Sequence, residues 1–468
     1  MMEGNDDVTR RRDDAVNGTA GALHDDSADD GFDDLARDLA ASGVDLLVGT
    51  ALDYAGVVRS KAVPVRRLRS FATSGMGASP SWVVFCADNG IAFTSRIGVS
   101  GDLRLRLDPS RLRAMGDGLA WAPTDFCEQD GSRSDLCARA RLASLEDRAA
   151  GAGLSVLMGT ELEFTLVSAD GSRLADGSWA AYGMRSVIAR RDFLTDLTRT
   201  LEQADVGTEQ VHAEYGTDQF EVSLAPLPPR EMADTAILTR ILIGLVAARH
   251  GLAPSFSPLA FVGGSGNGMH LHLSLARDGR NLFATGDGPH GITGEGGSAI
   301  GGVLAGLSDL LAVYAGSVVS SLRLTPGSWS GAAVCWGLEN REAALRFLAA
   351  TPGNPHGANI ELKIVDPSAN LYLATAAFLG SALDGIERSL PLPEEVVGNP
   401  VETPEFARLR LDAEPSAAIS RLESSALAAR LFGPGIVEGA VAVRRHELDA
   451  FAGADPESIT AALRLAWT

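Results

Sequence analysis

The chain has 468 residues, 45% of them apolar, enough to bury a large core and to divide into two domains. With 60 acidic against 40 basic side chains and a formal net charge of -20, its surface repels phosphate backbones and anionic lipid, so neither nucleic acid nor a membrane is an expected partner. The four cysteines, Cys86, Cys127, Cys137 and Cys335, contain no CxxC pair and fit neither a zinc knuckle nor a disulfide scaffold, which points to a reducing compartment, the cytoplasm.

Residues 1–31 are rich in Asp, Gly, Ala and Ser without apolar periodicity and predict a disordered tail. Within it, Arg10-Arg11-Arg12 is followed by Asp13 and Asp14, where a twin-arginine signal requires an apolar stretch. A helix is expected from near Gly31 through Phe32, Leu35 and Leu39. Residues 44–52 read as a strand that turns at Tyr54-Ala55-Gly56 into a second strand at 57–63, and further strands are expected at 82–86 and 118–124. Residues 32–132 thus form a small, strand-dominated domain. The pattern becomes helical over 134–152, and residues 133–468 then alternate short strands with helices, the longest at 229–250. Apolar runs such as 241–248 are too short to span a bilayer. The glycine-rich stretch 286–302 reads as a surface loop entering a helix at 299–314, and 414–467 as helices parted by Gly433-Pro434-Gly435.

Four clusters carry chemistry. In Gly159-Thr160-Glu161-Leu162-Glu163-Phe164 the two glutamates share a strand face, where they repel unless they bind cations or meet solvent. In the segment from His212 through Glu221, Glu214 and Glu221 are an odd number of residues apart. A turn or bulge at Gly216-Thr217-Asp218 is needed to bring them to one face. His270 and His272 again share a face, in Gly266-Asn267-Gly268-Met269-His270-Leu271-His272-Leu273-Ser274. The fourth cluster is Ile360-Glu361-Leu362-Lys363, followed by Asp366-Pro367-Ser368-Ala369-Asn370. Each cluster alone also fits a polar strand facing water. Together they offer five carboxylates and imidazole nitrogen, an oxygen-rich set that suits Mg²⁺ or Mn²⁺ better than zinc. Arg323, Arg341 and Arg346 suit bidentate recognition of phosphate or carboxylate; surface pairing with Glu339 and Glu342 is the alternative.

The order GxExEF, HxE…QFE, GxHxHxS, RLxPG, NREAALR and IELK…DPSANLYLA resembles the glutamine synthetase superfamily, and within it the γ-glutamyl-amine (polyamine or monoamine) ligases, over residues 40–465. The resemblance implies an α+β fold: an N-terminal β-grasp domain and a catalytic domain built on a curved antiparallel sheet with outer helices. It also implies a homo-oligomer of stacked rings, expected to be a dodecamer. Carried over by motif, Glu163, Glu214 and Glu221 match the ligands of a first metal ion; Glu161, His270 and Glu361 match those of a second. Two or three Mg²⁺ ions, or Mn²⁺, are expected with ATP. Arg323 matches the residue gripping glutamate's α-carboxylate, Arg341 a stabiliser of the transferring phosphoryl group, and Arg346 an ATP phosphate contact. His272 and Ser274 match nucleotide-pocket positions, and Gly266 a glycine whose backbone meets the substrate's amino group.

Departures from the pattern shape the expected substrate. Trp329 stands where glutamine synthetases carry the glutamate of the ammonium site, and its aspartate partner has no counterpart in Gly75-Met76-Gly77-Ala78-Ser79. An indole can stack on an organic ammonium or pack an alkyl group; packing the loop is the plainer role. Lys363 stands where arginine is usual, keeping charge but losing the fork; Asn359 and Ser265 replace arginine and asparagine. The expected activity is ATP-dependent joining of glutamate to an organic amine through a γ-glutamyl phosphate. Ordinary glutamine synthesis from ammonium, or an inactive ring-forming protein, are the alternatives.

Overall fold

A computed structural model of the chain describes residues 26–177 and 179–467. The expected tail falls outside them up to residue 25; the first helix, Asp26–Ala41, opens inside the rest of that stretch rather than near Gly31, and packs through Ala36 and Leu39.

Among the described residues the N-terminal sheet has six strands. Its order is Val58–Pro64, Leu46–Leu52, Leu119–Cys127, Leu103–Leu107, Met76–Ala78, with Arg113–Gly116 also paired to Leu119–Cys127. The predicted hairpin runs from Leu46 opposite Pro64 to Leu52 opposite Val58, and Leu119–Cys127 returns parallel to its first strand. The strand expected at 82–86 is instead a 3₁₀ turn, Pro80–Val84. Pro80 opens it, and Ser79 Oγ accepts from Ser81 N at 3.3 Å. Val83 and Val84 are both buried, so the apolar run that suggested a strand is a core contact without alternation.

The second sheet has nine strands among the described residues. Its main path is Ala333–Leu338, Ala343–Leu348, Asn359–Leu362, Leu271–Arg277, Leu154–Ser168, Gln219–Leu224, Thr208–Ala213. The sheet is curled, mostly antiparallel, and the molecule is of the α+β class. The 15-residue strand Leu154–Ser168 is its spine. Leu162, Phe164 and Leu166 on that strand are buried against the outer helices Ala138–Gly151 and Pro229–Arg249, so the odd-numbered Glu161 and Glu163 point to the opposite face.

The glycine-rich stretch is the expected surface loop only over residues 286–293, and the helix after it starts earlier than 299. Helix Gly294–Gly306 begins within it, capped by Thr293 Oγ1, which accepts from Gly296 N at 2.9 Å. A Cβ on Gly302 would lie 2.3 Å from Ser381 O, and one on Gly385 2.1 Å from Ser298 O. Those glycines let Gly294–Gly306 and Leu371–Glu387 meet at backbone distance. Helix Ala426–Ala450 is long and apolar enough to cross a membrane, yet it breaks at Gly433 (φ 77°) where the sequence predicted, and half of its apolar window is buried.

Two polar fastenings join the sheets. Arg139, on Ala138–Gly151, is 2% exposed and donates to Asp234 at 2.8 and 2.9 Å, to Asp108 at 2.6 Å and to Asp125 at 3.2 Å, while the Tyr372 hydroxyl donates to Asp234 at 2.7 Å. Asp108 and Asp125 belong to the N-terminal half; Asp234 sits on Pro229–Arg249. Far along the chain, Trp467 Nε1 donates to the Ala55 carbonyl at 2.8 Å across 412 residues, and Arg240 Nη2 donates to the Trp467 carbonyl at 2.8 Å. Removing one partner of a buried charge pair costs about 3–5 kcal/mol because the other stays desolvated. Arg139→Ala is therefore expected to lower stability by about that amount, read as a lower urea midpoint at unchanged slope; Arg139→Lys should recover only part of it.

Candidate active site

Register places the polar residues in two rows on one sheet face. Glu163 lies opposite Glu221, which lies opposite His212; Glu361 lies between Arg346 and His272. Directly opposed residues of an antiparallel pair point to the same side, so all six converge with Glu161 on the face the helices leave free. Glu214 follows Thr208–Ala213 and keeps the face of His212 by period two. Glu214 and Glu221 thus share a face because they sit on two strands of one hairpin, with Asp218 at φ 51° in its turn.

His270 lies just ahead of Leu271–Arg277 and reaches both rows. Its Nδ1 is 3.0 Å from Glu161 Oε2 and 3.3 Å from Glu361 Oε1, and its Nε2 is 3.8 Å from Glu163 Oε1. Donor atoms of Glu161, His272 and Glu361 lie within 4.8 Å of one another, as do those of His212, Glu214 and Glu221. Each grouping brings in a histidine outside the metal-ligand sets carried over by motif: His212, which had no role, and His272, which was matched to the nucleotide pocket. Glu163 accepts from Gly268 N at 2.8 Å and from Gln219 Nε2 at 3.3 Å. Lys363 Nζ and Arg346 Nη1 approach Glu361 at 3.2 and 3.1 Å, and Arg346 also pairs with Glu339, as the surface-pairing alternative anticipated. Ser274, two residues beyond His272 on the same strand, donates through Oγ to the Ala358 carbonyl at 3.3 Å, and His272 Nδ1 is 2.9 Å from Asn359 Oδ1.

Glycine is required where the backbone passes under these side chains. A Cβ on Gly268 would fall 2.6 Å from His270 Nε2, and one on Gly266 2.7 Å from Arg323 Cγ. Arg323 is buried, and its guanidinium donates to the carbonyls of Lys363 and Ile364 at 3.0 Å each. Trp329, 56% exposed, walls a cavity of about 400 Å³ together with Arg341, which is exposed and forms no ion pair among the described residues.

The electrostatics are those of a face short of positive charge. Burial works against ionisation of Glu161 and Glu361, but His270 and His272 (and Lys363 for Glu361) hold both carboxyls below the usual range. Burial likewise disfavours charge on His272, yet Glu161 and Glu361 push its imidazole up to about 9; Glu221 pushes His212 up to about 9. Glu214 has too little compensation, and burial with the charges of Glu163 and Glu221 pushes its carboxyl up to about 7. His272 Nε2 is buried without a well-formed hydrogen bond. Converging carboxylates, one raised by its neighbours, with imidazole nitrogens among them fit a divalent cation.

Sequence reasoning missed His212, which the two-residue spacing to Glu214 could have revealed. It also missed Gln219, which donates to Glu163, the Gly266 carbonyl and Asn267, and Tyr182, whose ring centroid is 6.5 Å from that of His212; no local pattern marks Tyr182.

Comparison with known proteins identifies the family. The profile of the glutamine synthetase catalytic domain matches residues 135–459. The chain is 38% identical, over 92% of its length and 95% of the relative's, to the γ-glutamylpolyamine synthetase GlnA3 of Streptomyces coelicolor. It is 28% identical to the γ-glutamylethanolamide synthetase GlnA4 of the same organism, over 90% of this chain and 93% of that one. Among solved structures, a glutamine synthase homologue with 31% identity superposes with TM-score 0.81 over 90% of this chain and 98% of that one. A ligand that binds only the folded state stabilises it by about 2.7 kcal/mol at a hundred times its Kd. Mg²⁺ or Mn²⁺ added to metal-free protein is accordingly expected to raise Tm with concentration, and Glu361→Gln to abolish most of the rise.

Proposed function

The chain belongs to the glutamine synthetase family, and on that premise we propose that it joins the γ-carboxylate of glutamate to an organic amine, polyamines foremost, with ATP as phosphoryl donor. Trp329 is the observation that carries the choice of an organic amine over ammonium. An exposed indole walls the cavity beside Arg341, and the two carboxylates that also line it are already engaged, Glu339 by Arg346 and Glu342 by the backbone of the loop, which leaves neither free for a small inorganic cation. Similarity to γ-glutamylpolyamine and γ-glutamylethanolamide synthetases supports the same choice.

A carboxylate is a poor electrophile, so the reaction needs two steps. A γ-carboxylate oxygen attacks the terminal phosphorus of ATP, ADP leaves, and the acyl phosphate gains a good leaving group. The amine nitrogen then attacks the acyl carbon, the C–O bond to phosphate breaks, and the amine loses a proton. Family members use ATP and divalent metal ions; bound here, two or three Mg²⁺ or Mn²⁺ ions would neutralise phosphate charge. Glu163, Glu214 and Glu221 would hold one, and Glu161, His270 and Glu361 another, with His212 and His272 close behind.

The chain's own cations divide the remaining work. Arg323, aimed by two backbone carbonyls, holds glutamate's α-carboxylate in a desolvated site where a charge pair is strong. The backbone at Gly266 faces the amino group. Arg341 has free donors for the transferring phosphoryl group, and Arg346, once ATP competes with Glu339, turns to the phosphates, near His272 and Ser274. Lys363 keeps charge beside Glu361. The protein works in the cytoplasm as a ring-forming homo-oligomer.

Phosphate release by purified protein with ATP, Mg²⁺ and glutamate tests this across ammonium, ethanolamine, monoamines, putrescine and spermidine. Release is expected with the polyamines, with a γ-glutamyl adduct by mass spectrometry. Release with ammonium alone overturns the reading of Trp329; release with nothing points to a different acid or to an inactive ring protein. Trp329→Ala is expected to lower kcat/KM for the preferred amine at least tenfold, about 1.4 kcal/mol of transition-state stabilisation.

A further inference from the structure

The loop that carries Trp329 has an unusual support. Glu342 is 6% exposed, and its carboxylate accepts from Gly327 N at 2.7 Å through one oxygen and from Trp329 N at 3.0 Å through the other. Both residues it holds are in the left-handed region, Gly327 at φ 81° and Trp329 at φ 56°. For a bulky aromatic residue that conformation is strained, and it persists only where surrounding groups over-determine it. Two charge-assisted bonds from one buried carboxylate do so here.

The clamp is itself anchored. Asn340 Oδ1 accepts from Glu342 N at 3.2 Å and Ala343 N at 3.3 Å, and Asn340 Nδ2 donates to the carbonyls of Val396 and Gly398 at 3.1 and 2.9 Å. Arg341 stands between Asn340 and Glu342 in the chain. The segment that presents the exposed guanidinium and the loop that presents the indole are thus one rigid unit, and both line the cavity of about 400 Å³ with Asn399 and Glu339.

We propose that Glu342 is a positioning residue that sets amine selectivity by locking Trp329 as the cavity wall in fixed relation to Arg341. The proposal rests on the ligase reading above. Glu342 also borders the cavity, but both of its oxygens are turned to the loop backbone, so it acts through the indole it holds.

Hydrogen exchange and kinetics together test it. In Glu342→Ala, amides of the peptide covering 326–330 are expected to lose at least tenfold in protection while the strands Leu154–Ser168 and Gln219–Leu224 exchange unchanged. The KM of the preferred amine should rise at least tenfold, with those of ATP and glutamate within twofold, and Glu342→Gln, which keeps one acceptor, should fall between. In a Trp329→Ala background, Glu342→Ala should add less than twofold, since both changes remove the same wall. Unchanged exchange at 326–330, equal effects on all three substrates, or additive effects with Trp329→Ala overturn the proposal. Loss of protection at 326–330 in a protein whose wild type turns over no organic amine leaves the clamp standing and overturns both the ligase reading and the selectivity role.

Discussion

Like charges on one face of a sheet repel, and Glu161, Glu163, Glu214, Glu221 and Glu361 crowd one such face at a depth where water screens them poorly. The rest of the fold is arranged around that repulsion. Register sets His212 against Glu221 and both Arg346 and His272 against Glu361, so these two carboxylates meet a cation through strand pairing rather than through a flexible side chain finding its partner, while Glu163 faces Glu221 itself. Glu214, beyond the last paired residue of its strand, is the one driven toward the protonated form. A divalent ion would reverse that, which makes cation binding and the ionisation of the face a single equilibrium.

The same economy governs the substrate side. Arg323 is held by carbonyls of Lys363 and Ile364, immediately after the strand that carries Glu361, so the group assigned to the α-carboxylate and a proposed metal ligand move with one backbone. Gly266 and Gly268 allow the close approach; any side chain there would displace Arg323 or His270. On the amine side, Glu342 joins Trp329 to the turn that carries Arg341. The proposed amine wall and the proposed phosphoryl contact are thereby joined by two hydrogen bonds and one turn.

Much of this was legible in the sequence because it is written locally. Period two placed Glu161 with Glu163 and His270 with His272, and the motif order identified the fold class and the family. The hairpin turn that reunites Glu214 with Glu221 was foreseeable from Gly216, Thr217 and Asp218. What was not legible depends on neighbours distant in sequence. The glycines of 294–302 read as loop because their role is close approach to distant segments, Gly302 to Gly385 of another helix and Gly301 to the Pro391 carbonyl. The apolar run at 82–86 read as strand because its residues are all apolar, although burial falls on Val83, Val84 and Cys86 and spares Trp82 and Phe85, a pattern without the alternation of a strand. Glu342 looked like a surface partner for an arginine; its target is backbone, and backbone leaves no mark in a sequence.

The bond from Trp467 to Ala55 fixes a timetable as well as a distance. At about 5–20 residues per second, the 412 residues between them take roughly 20–80 s to synthesise. The hairpin at the start of the N-terminal sheet waits less, since its parallel partner, Leu119–Cys127, arrives within seconds of it. For most of its time on the ribosome the first sheet therefore exists without the indole that closes over it. Its stability in that interval has to come from its own six strands and from segments made soon after them, such as the helix that carries Arg139.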